Sequence, residues 1–184
     1  MKLIEILQVK KYTTDKHTTH KYVQDFYDDN FLKYKQSNLN FLEIGVWNGE
    51  SMKLWSDYFI NAKNIVGIDI FVRTPIEIVK NNLIKYNTVL HKMDTVNDSD
   101  DVFNQFSSLY QDGFDIIIDD GCHNPIYQVE TFKRFSKLMN KDGLYIVEDI
   151  ADNLEAEKIL KDNIPDITIM KGSNNKDTFG YIYF

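Results

Sequence analysis

Short aliphatic runs alternate along this chain with segments of helical periodicity, and this alternation limits the folds that it can adopt. The runs at 41–44, 65–70, 114–118 and 144–147 are each followed by turn residues. Strands this short and this continuously apolar are typical of a parallel sheet that is buried on both faces. Because strands that alternate with helices form βαβ units, the pattern predicts an α/β fold with a mainly parallel sheet.

Helical spacing is clearest in two of the intervening segments. Apolar residues recur on one side of 51–60 and of 125–139, and Pro125 suits a first helical turn. Weaker patterns predict a strand over 88–92 and a helix over 102–110. The predicted helices thus lie between successive predicted strands, as a doubly wound sheet requires.

The C-terminal end of the chain departs from this alternation. Two apolar runs, 167–170 and 179–184, are separated only by the polar loop 172–178. Because a parallel pair needs a crossover of about a dozen residues or more, this connection permits only a hairpin. We therefore expect a Rossmann-like, doubly wound sheet with an antiparallel C-terminal edge hairpin.

The N-terminal segment 1–38 looks helical and polar, and we expect it to cover a core formed by residues 39–184. A chain of 184 residues suits a single domain that buries its own core. The lone cysteine, Cys122, excludes an intrachain disulfide and suits a reducing, cytoplasmic setting. Glu5 interrupts the apolar start of the chain, and no run approaches the roughly 20 apolar residues that span a bilayer, so no membrane association is expected.

The charge of the chain bears on its partners. The formal net charge is −7, and the densest charge clusters, such as 98–101, are acidic. Proteins that bind nucleic acids normally present a basic face to the phosphates. The sequence therefore disfavours DNA or RNA as a partner and favours a small molecule, and an oligomer is compatible with it but not indicated.

A turn with two glycines, the glycine loop (residues 45–49), follows the first predicted strand. Gly45 and Gly49 let the backbone approach a ligand and turn into the helix that begins near Ser51. The spacing differs from G-x-G-x-x-G, which places a pyrophosphate at a helix N-terminus. Glu43 would repel a pyrophosphate and attract a cofactor with sulfonium and ammonium groups. Glu43, Gly45, Gly49 and Ser51 are therefore predicted to bind such a cofactor.

Acidic residues also follow the next two predicted strands. Asp69 stands where a carboxylate accepts hydrogen bonds from ribose hydroxyls, and Asp94 stands where an adenine amino group would lie. NAD-binding folds also place an acidic residue at the end of this strand to bind ribose hydroxyls, so Asp69 alone does not distinguish the two cofactors. A single acidic residue in a loop is also more often simply exposed to solvent. Their order on successive strand ends is what favours a nucleoside-containing cofactor.

A second group of acids follows the fourth and fifth predicted strands. The fourth ends in Asp119-Asp120-Gly121-Cys122-His123 and the fifth in Glu148-Asp149. Carboxylates brought this close would raise one another's pKa unless a cation lay among them. Oxygen ligands without paired cysteines favour Mg²⁺ or Mn²⁺ over zinc. Adjacent acids also occur as helix caps and solvated turns, so the metal interpretation depends on both groups meeting at one edge of the sheet.

Together these motifs resemble class I S-adenosylmethionine-dependent methyltransferases, whose glycine motif is E/D-x-G-x-x-x-G. Within that class the chain is most similar to the metal-dependent sugar O-methyltransferases of the mycinamicin and tylosin type. The resemblance begins at Thr14-Asp15-Lys16 and runs through the glycine loop and Gly67-Ile68-Asp69 to 118–123 and 147–149. It implies S-adenosyl-L-methionine and Mg²⁺ or Mn²⁺ as cofactors.

The resemblance also implies roles for individual residues. Asp120, Glu148 and Asp149 would ligate the metal, and His123 would be the general base that takes the proton of an acceptor hydroxyl. Asp119 would lie beside the cofactor and orient the loop. Lys16 would lie near the cofactor, in a segment with His20, Tyr22 and Tyr27 that folds over the cofactor in such enzymes. Cys122 departs from the family, which usually has serine there, without an expected change in mechanism.

The expected function is O-methylation of a sugar hydroxyl, whether the sugar is free, nucleotide-linked or part of a glycan. Another small hydroxylated or phosphorylated metabolite would use the same residues. A cofactor-binding module that has lost turnover is a further alternative, which the intact acid–histidine set argues against. An NAD-dependent dehydrogenase is disfavoured by the glycine spacing and by Glu43.

Overall fold

The computed structural model describes residues 1–174 and 177–184, and it is built on one seven-stranded sheet in the order β3-β2-β1-β4-β5-β7-β6. The strands are β1 Asn40–Ile44, β2 Asn64–Asp69, β3 Val89–Lys92, β4 Phe114–Asp119, β5 Met139–Val147, β6 Thr168–Lys171 and β7 Thr178–Tyr183. Strands β1 to β5 pair in parallel. The chain order reverses between β1 and β4, the place where open α/β sheets bind ligands.

Helices cover both faces of this sheet. They are α1 Leu3–Lys10, α2 Asp15–Thr18, α3 Asp28–Asn30, α4 Glu50–Tyr58, α5 Ile76–Asn82, α6 Asp100–Leu109, α7 Pro125–Phe135 and α8 Leu154–Asn163. The N-terminal segment, α4 and α5 pack on one face, and α6, α7 and α8 pack on the other. This three-layer arrangement confirms the predicted α/β, doubly wound, single-domain fold.

Burial of the strands follows from their composition. All five residues of β1 are buried, because successive side chains point into opposite hydrophobic layers. Phe41 faces the layer that contains Trp55, and Leu42 faces the layer that contains Phe135. A strand with water on neither face gains from apolar side chains at every position, which is why the runs read as continuous rather than alternating.

The predicted antiparallel hairpin is confirmed, with one difference in its placement. Strand β7 pairs antiparallel with β6 and also with β5, so the last strand lies inside the sheet and β6 forms its edge. The polar loop expected between them covers residues 172–178, of which 175–176 lie outside the described residues.

The N-terminal segment contains short helices and contributes buried residues to one of the two hydrophobic layers. Many of its apolar and aromatic residues are buried, among them Leu3 of α1, Tyr22, Phe31, and Phe26 and Tyr27 of the π-helical turn Val23–Tyr27. Tyr27 and Phe31 pack against the ring of Trp55. Because burying one such side chain stabilises a fold by roughly 1.5–3 kcal/mol, this segment is an integral part of the core.

Two helices of the structure, α5 and α8, were not predicted from the sequence. Helix α5 has seven residues and buries only Val79, and α8 buries only Ala156 and Leu160. Such weak apolar stripes give little periodicity to detect. Within residues 1–174 and 177–184, no helix is both long and apolar enough to cross a bilayer.

Candidate active site

The glycine loop lies against the loop that follows β4. Gly45 has φ +91°, and a Cβ placed on it would stand 2.0 Å from the carbonyl oxygen of Asp120. The amide of Asp120 donates to the carbonyl oxygen of Ile44 at 2.8 Å. Only glycine fits this backbone contact, which brings the loops after β1 and β4 together as the sequence predicts.

The second glycine and Asp69 fix the shape of the same loop. Gly49, with φ +88°, precedes α4 as its N-cap residue. One carboxylate oxygen of Asp69, at the end of β2, accepts hydrogen bonds from the amides of Val46 and Trp47, each at 2.9 Å. Asp69 thus supports the loop from the neighbouring strand, and its contact with ribose hydroxyls stays a prediction.

Asp94 lies in a turn after β3 that it stabilises itself. Its Oδ1 accepts from the amides of Val96 at 3.1 Å and Asn97 at 2.9 Å. Its Oδ2 accepts from the side-chain amide of Asn97. These contacts are an Asx turn, which gives Asp94 a structural role, and its contact with adenine stays a prediction.

A buried lysine lies among the acids at the carboxyl ends of β1, β4 and β5. We call Glu43, Asp120, Glu148 and Asp149 the carboxylate cluster. The Lys16 ammonium nitrogen lies 2.5 Å from Asp120 Oδ2, 2.6 Å from Glu148 Oε2 and 3.4 Å from Glu43 Oε1. Burial disfavours the Lys16 ammonium, but these three carboxylates outweigh it and hold its pKa well above the ordinary value.

Glu43 and Ser51 face inwards under the glycine loop. Ser51 Oγ donates to Glu43 Oε2 at 2.7 Å, and Glu43 is fully buried. Burial raises the pKa of Glu43 to about 6, although the Lys16 charge opposes this rise. Glu43 supplies a buried carboxylate beneath the loop and Ser51 donates a hydrogen bond to it, and contact of either residue with a cofactor stays a prediction.

Glu148 is more firmly held than the sequence suggests. Lys16 donates to its Oε2, and the hydroxyl of Tyr27 donates to its Oε1. Both oxygens are therefore engaged by the N-terminal segment. The assignment of Glu148 as a metal ligand stays a prediction.

At the open edge of the cluster, His123 converges with two of its members, Asp120 and Asp149. His123 Nε2 lies 3.4 Å from Asp120 Oδ1 and 3.5 Å from Asp149 Oδ2. One ligand atom from each of the three residues lies within 4.8 Å of the others. The His123 side chain is 50% exposed, so the group faces solvent on one side. Hydrogen bonding to Asp120 raises the pKa of His123, and the nearby Asp149 charge adds to the rise.

Asp119 is the last residue of β4 and directly precedes Asp120. It is 2% exposed, and its Oδ1 accepts from the amide of Gly121 at 3.2 Å. Among the described residues its Oδ2 has no hydrogen-bond partner. Burial raises the pKa of Asp119 to about 7. The hydrogen bond to Gly121 holds the turn, and a cofactor contact stays a prediction.

The N-terminal segment and the β6–β7 hairpin supply further contacts. Tyr22 donates its hydroxyl to Asp149 Oδ1 at 2.5 Å. His20 Nδ1 is hydrogen-bonded to Asp177 Oδ1 at 2.7 Å, and its ring stacks on that of Tyr22. Asp177 was not identified from the sequence, because nothing in the local pattern before β7 shows that it meets a residue near the other end of the chain.

Two surface clefts lie away from this group. One, of about 420 Å³, is lined by α6 and α7 around Arg134, and the other, of about 300 Å³, lies at the opposite end of the sheet around Tyr34. Over the carboxylate cluster itself, the N-terminal segment fills the space with Lys16 and Tyr27. The accessible side of the site is the one with His123 and Trp47, which are about half exposed.

Sequence comparisons find O-methyltransferases as relatives, and no protein-family model matches the chain. A mycinamicin VI 2''-O-methyltransferase from Micromonospora griseorubida is 25% identical over 147 residues, 76% of this chain and 34% of the relative. An 8-demethyl-8-(2-methoxy-alpha-L-rhamnosyl)-tetracenomycin-C 3'-O-methyltransferase from Streptomyces olivaceus is 22% identical over 147 residues, 76% of this chain and 35% of the relative. The chain therefore spans about a third of the length of these curated relatives.

Solved structures with a similar fold include methyltransferases. The MycE methyltransferase from the mycinamycin biosynthetic pathway, in complex with Mg, SAH and mycinamycin VI, matches with a TM-score of 0.70 and 23% identity, over 98% of this chain and 54% of that one. An rRNA methylase from Streptococcus thermophilus matches with a TM-score of 0.59 and 12% identity, over 84% of this chain and 92% of that one. The chain thus has the fold of class I S-adenosylmethionine-dependent methyltransferases, and in sequence it is similar to sugar O-methyltransferases of macrolide and tetracenomycin pathways.

Proposed function

We propose that this chain binds S-adenosylmethionine at the glycine loop and transfers its methyl group to a hydroxyl oxygen of a sugar-bearing small molecule, assisted by Mg²⁺ or Mn²⁺. The observation that carries the proposal is the convergence of Asp120, Asp149 and His123 beside that loop. In this fold, ligands bind at the carboxyl ends of the strands where the strand order reverses. The cofactor and the converging side chains would therefore share one crevice.

The charge around the glycine loop supports this cofactor over a dinucleotide. The carboxylate cluster holds four acids, and Lys16 is the one buried ammonium in contact with it among the described residues. The remaining negative charge favours the sulfonium and ammonium groups of S-adenosylmethionine. The same charge would repel the pyrophosphate of NAD.

The converging side chains fit a hard divalent cation. Asp120 and Asp149 each present one carboxylate oxygen at the open edge, next to the His123 imidazole. Mg²⁺ is commonly held by one or two carboxylates and completes its shell with water and substrate oxygens. When bound, such a cation lowers the pKa of a coordinated hydroxyl.

The residues of the chain then have distinct tasks in a direct displacement. His123 Nε2 takes the proton of the acceptor hydroxyl while the oxygen attacks the methyl carbon. The new C–O bond forms as the C–S bond breaks, and the electron pair of that bond stays on sulfur as a neutral thioether. Asp120 and Asp149, both near His123 Nε2, stabilise the imidazolium that results.

We infer the class of acceptor from the names of the relatives and not from the geometry of the site. Their names specify O-methylation of a mycinamicin and of a rhamnosyl tetracenomycin. The net charge of −7 argues against a phosphate-rich acceptor such as RNA. Another small hydroxylated metabolite would use the same catalytic residues. Methyl transfer should therefore be assayed with both kinds of acceptor.

Removal of the metal is expected to suppress transfer. We predict that EDTA lowers the transfer of a labelled methyl group to glycosylated acceptors at least about tenfold, and that added Mg²⁺ or Mn²⁺ restores it. In parallel, calorimetry should show binding of S-adenosylhomocysteine and none of NAD. Transfer that is unchanged in EDTA would remove the metal from the proposal, and binding of NAD alone would overturn the cofactor.

A further inference from the structure

The two aspartates at the open edge share an arrangement that depends on the N-terminal segment. Asp120 Oδ2 lies 2.5 Å from the Lys16 ammonium, and Asp120 Oδ1 lies 3.4 Å from His123 Nε2. Asp149 Oδ1 accepts from the Tyr22 hydroxyl at 2.5 Å, and Asp149 Oδ2 lies 3.5 Å from His123 Nε2. Each aspartate thus has one oxygen held by the N-terminal segment and presents the other beside His123.

Holding one oxygen fixes the direction of the other. The terminal torsion of an aspartate is broad, so a carboxylate without a partner samples many orientations. Asp149 also has φ +51°, a left-handed backbone conformation that is unfavourable for a residue other than glycine. Its amide donates to the Tyr22 hydroxyl at 3.2 Å, so that single hydroxyl contacts both the side chain and the backbone of Asp149.

Lys16 and Tyr22 are themselves held in place. Lys16 is 1% exposed and is also bound by Glu148 at 2.6 Å. The Tyr22 ring stacks on His20 with 5.0 Å between ring centroids and meets Phe179 edge-on at 5.4 Å. Neither side chain can leave its aspartate without disturbing the packing of the segment.

We propose that Lys16 and Tyr22 are positioning residues of the cation site, so that docking of the N-terminal segment and binding of a divalent cation stabilise each other. The inference rests on the cation of the proposed function. Lys16 and Tyr22 touch neither the cation nor the acceptor in this account, and they act by directing Asp120 Oδ1 and Asp149 Oδ2. Because coupling between two binding events is reciprocal, the cation also strengthens the docking of residues 14–27.

The test compares Tyr22→Phe with Tyr34→Phe in the full chain. Tyr34 lies in the same N-terminal segment, but its hydroxyl donates to the carbonyl oxygen of Asp142 and not to the carboxylate cluster. With Mn²⁺ as the probe and neither cofactor nor acceptor present, calorimetry should show a dissociation constant raised about tenfold or more by Tyr22→Phe and unchanged by Tyr34→Phe. Loss of a group that orients a metal ligand typically weakens binding about 10- to 100-fold.

A second measurement, amide hydrogen exchange, shows whether the variant has lost structure in general, and it reports on the N-terminal segment directly. In the unaltered chain, Mn²⁺ should slow amide hydrogen exchange in residues 14–27, and Tyr22→Phe should reduce that effect. Equal Mn²⁺ affinity in Tyr22→Phe and the unaltered chain would overturn the inference and leave the proposed function intact. Absence of Mn²⁺ binding in the unaltered chain would overturn it together with the metal part of that function, while binding of S-adenosylhomocysteine would show that the cofactor part stands.

Discussion

Replacement of His123 by alanine is expected to lower methyl-transfer turnover about 10²- to 10⁴-fold, the range typical of a general base. His123 Nε2 lies 3.4 Å from Asp120 Oδ1 and 3.5 Å from Asp149 Oδ2, at the open edge of the carboxylate cluster. It is half exposed and contributes little to the core, so cofactor affinity and stability should change little.

Turnover and the affinity for S-adenosylhomocysteine should be measured together on His123→Ala. His17→Ala is a matched control, because among the described residues His17 is hydrogen-bonded only to Gln24 and not to the carboxylate cluster. The control should keep both quantities. An equal loss of turnover and cofactor affinity in His123→Ala would contradict its role as the base and indicate a binding role instead.

Replacement of Lys16 by methionine is expected to lower the free energy of unfolding by about 3–5 kcal/mol near neutral pH. Methionine has nearly the same side-chain volume as lysine, but it leaves Glu43, Asp120 and Glu148 without their shared buried ammonium group. Uncompensated buried carboxylates take up protons more readily in the folded state than in the unfolded state. The loss should therefore be larger at pH 8 than at pH 5, because a raised folded-state pKa costs stability as the pH rises.

Urea unfolding at both pH values measures this effect. Lys133→Met is a matched control, since Lys133 pairs with Glu130 at 2.8 Å within one helix and both side chains are about half exposed. An exposed pair of this kind contributes less than about 1 kcal/mol. A similarly small, pH-independent loss in Lys16→Met would show that Lys16 does not compensate the buried acids.

The parts of the fold that the sequence predicts are those with a strong local pattern. The apolar runs of β1, β2 and β4 are buried on both faces, and such runs differ from any exposed segment. Helix α5 and the aromatic packing of the N-terminal segment were not predicted. The reason is that one buried valine gives no stripe, and aromatic residues among charged ones look polar on average.

The contacts of the candidate site likewise divide into those that local sequence predicts and those that it does not. Asp120 and His123 lie in one short loop, so their proximity follows from local sequence. The contact between Lys16 and Asp120 joins residues 104 positions apart, and the contact between His20 and Asp177 joins residues 157 apart. No local pattern contains such pairings, since they depend on where the N-terminal segment packs. The resemblance to a family predicted Lys16 near the cofactor, and that contact stays a prediction. The structure shows that its ammonium group lies among three carboxylates.

The central claim is that the glycine loop and the Asp120–His123–Asp149 group serve one crevice. A crystal structure of this chain with S-adenosylhomocysteine and Mn²⁺, with the metal located by its anomalous scattering, tests that claim most directly. We predict a single strong anomalous peak within coordination distance of Asp120 and Asp149. The thioether sulfur of S-adenosylhomocysteine should lie between that peak and Gly45. An anomalous peak away from both aspartates, or a nucleoside bound at another edge of the sheet, would contradict it.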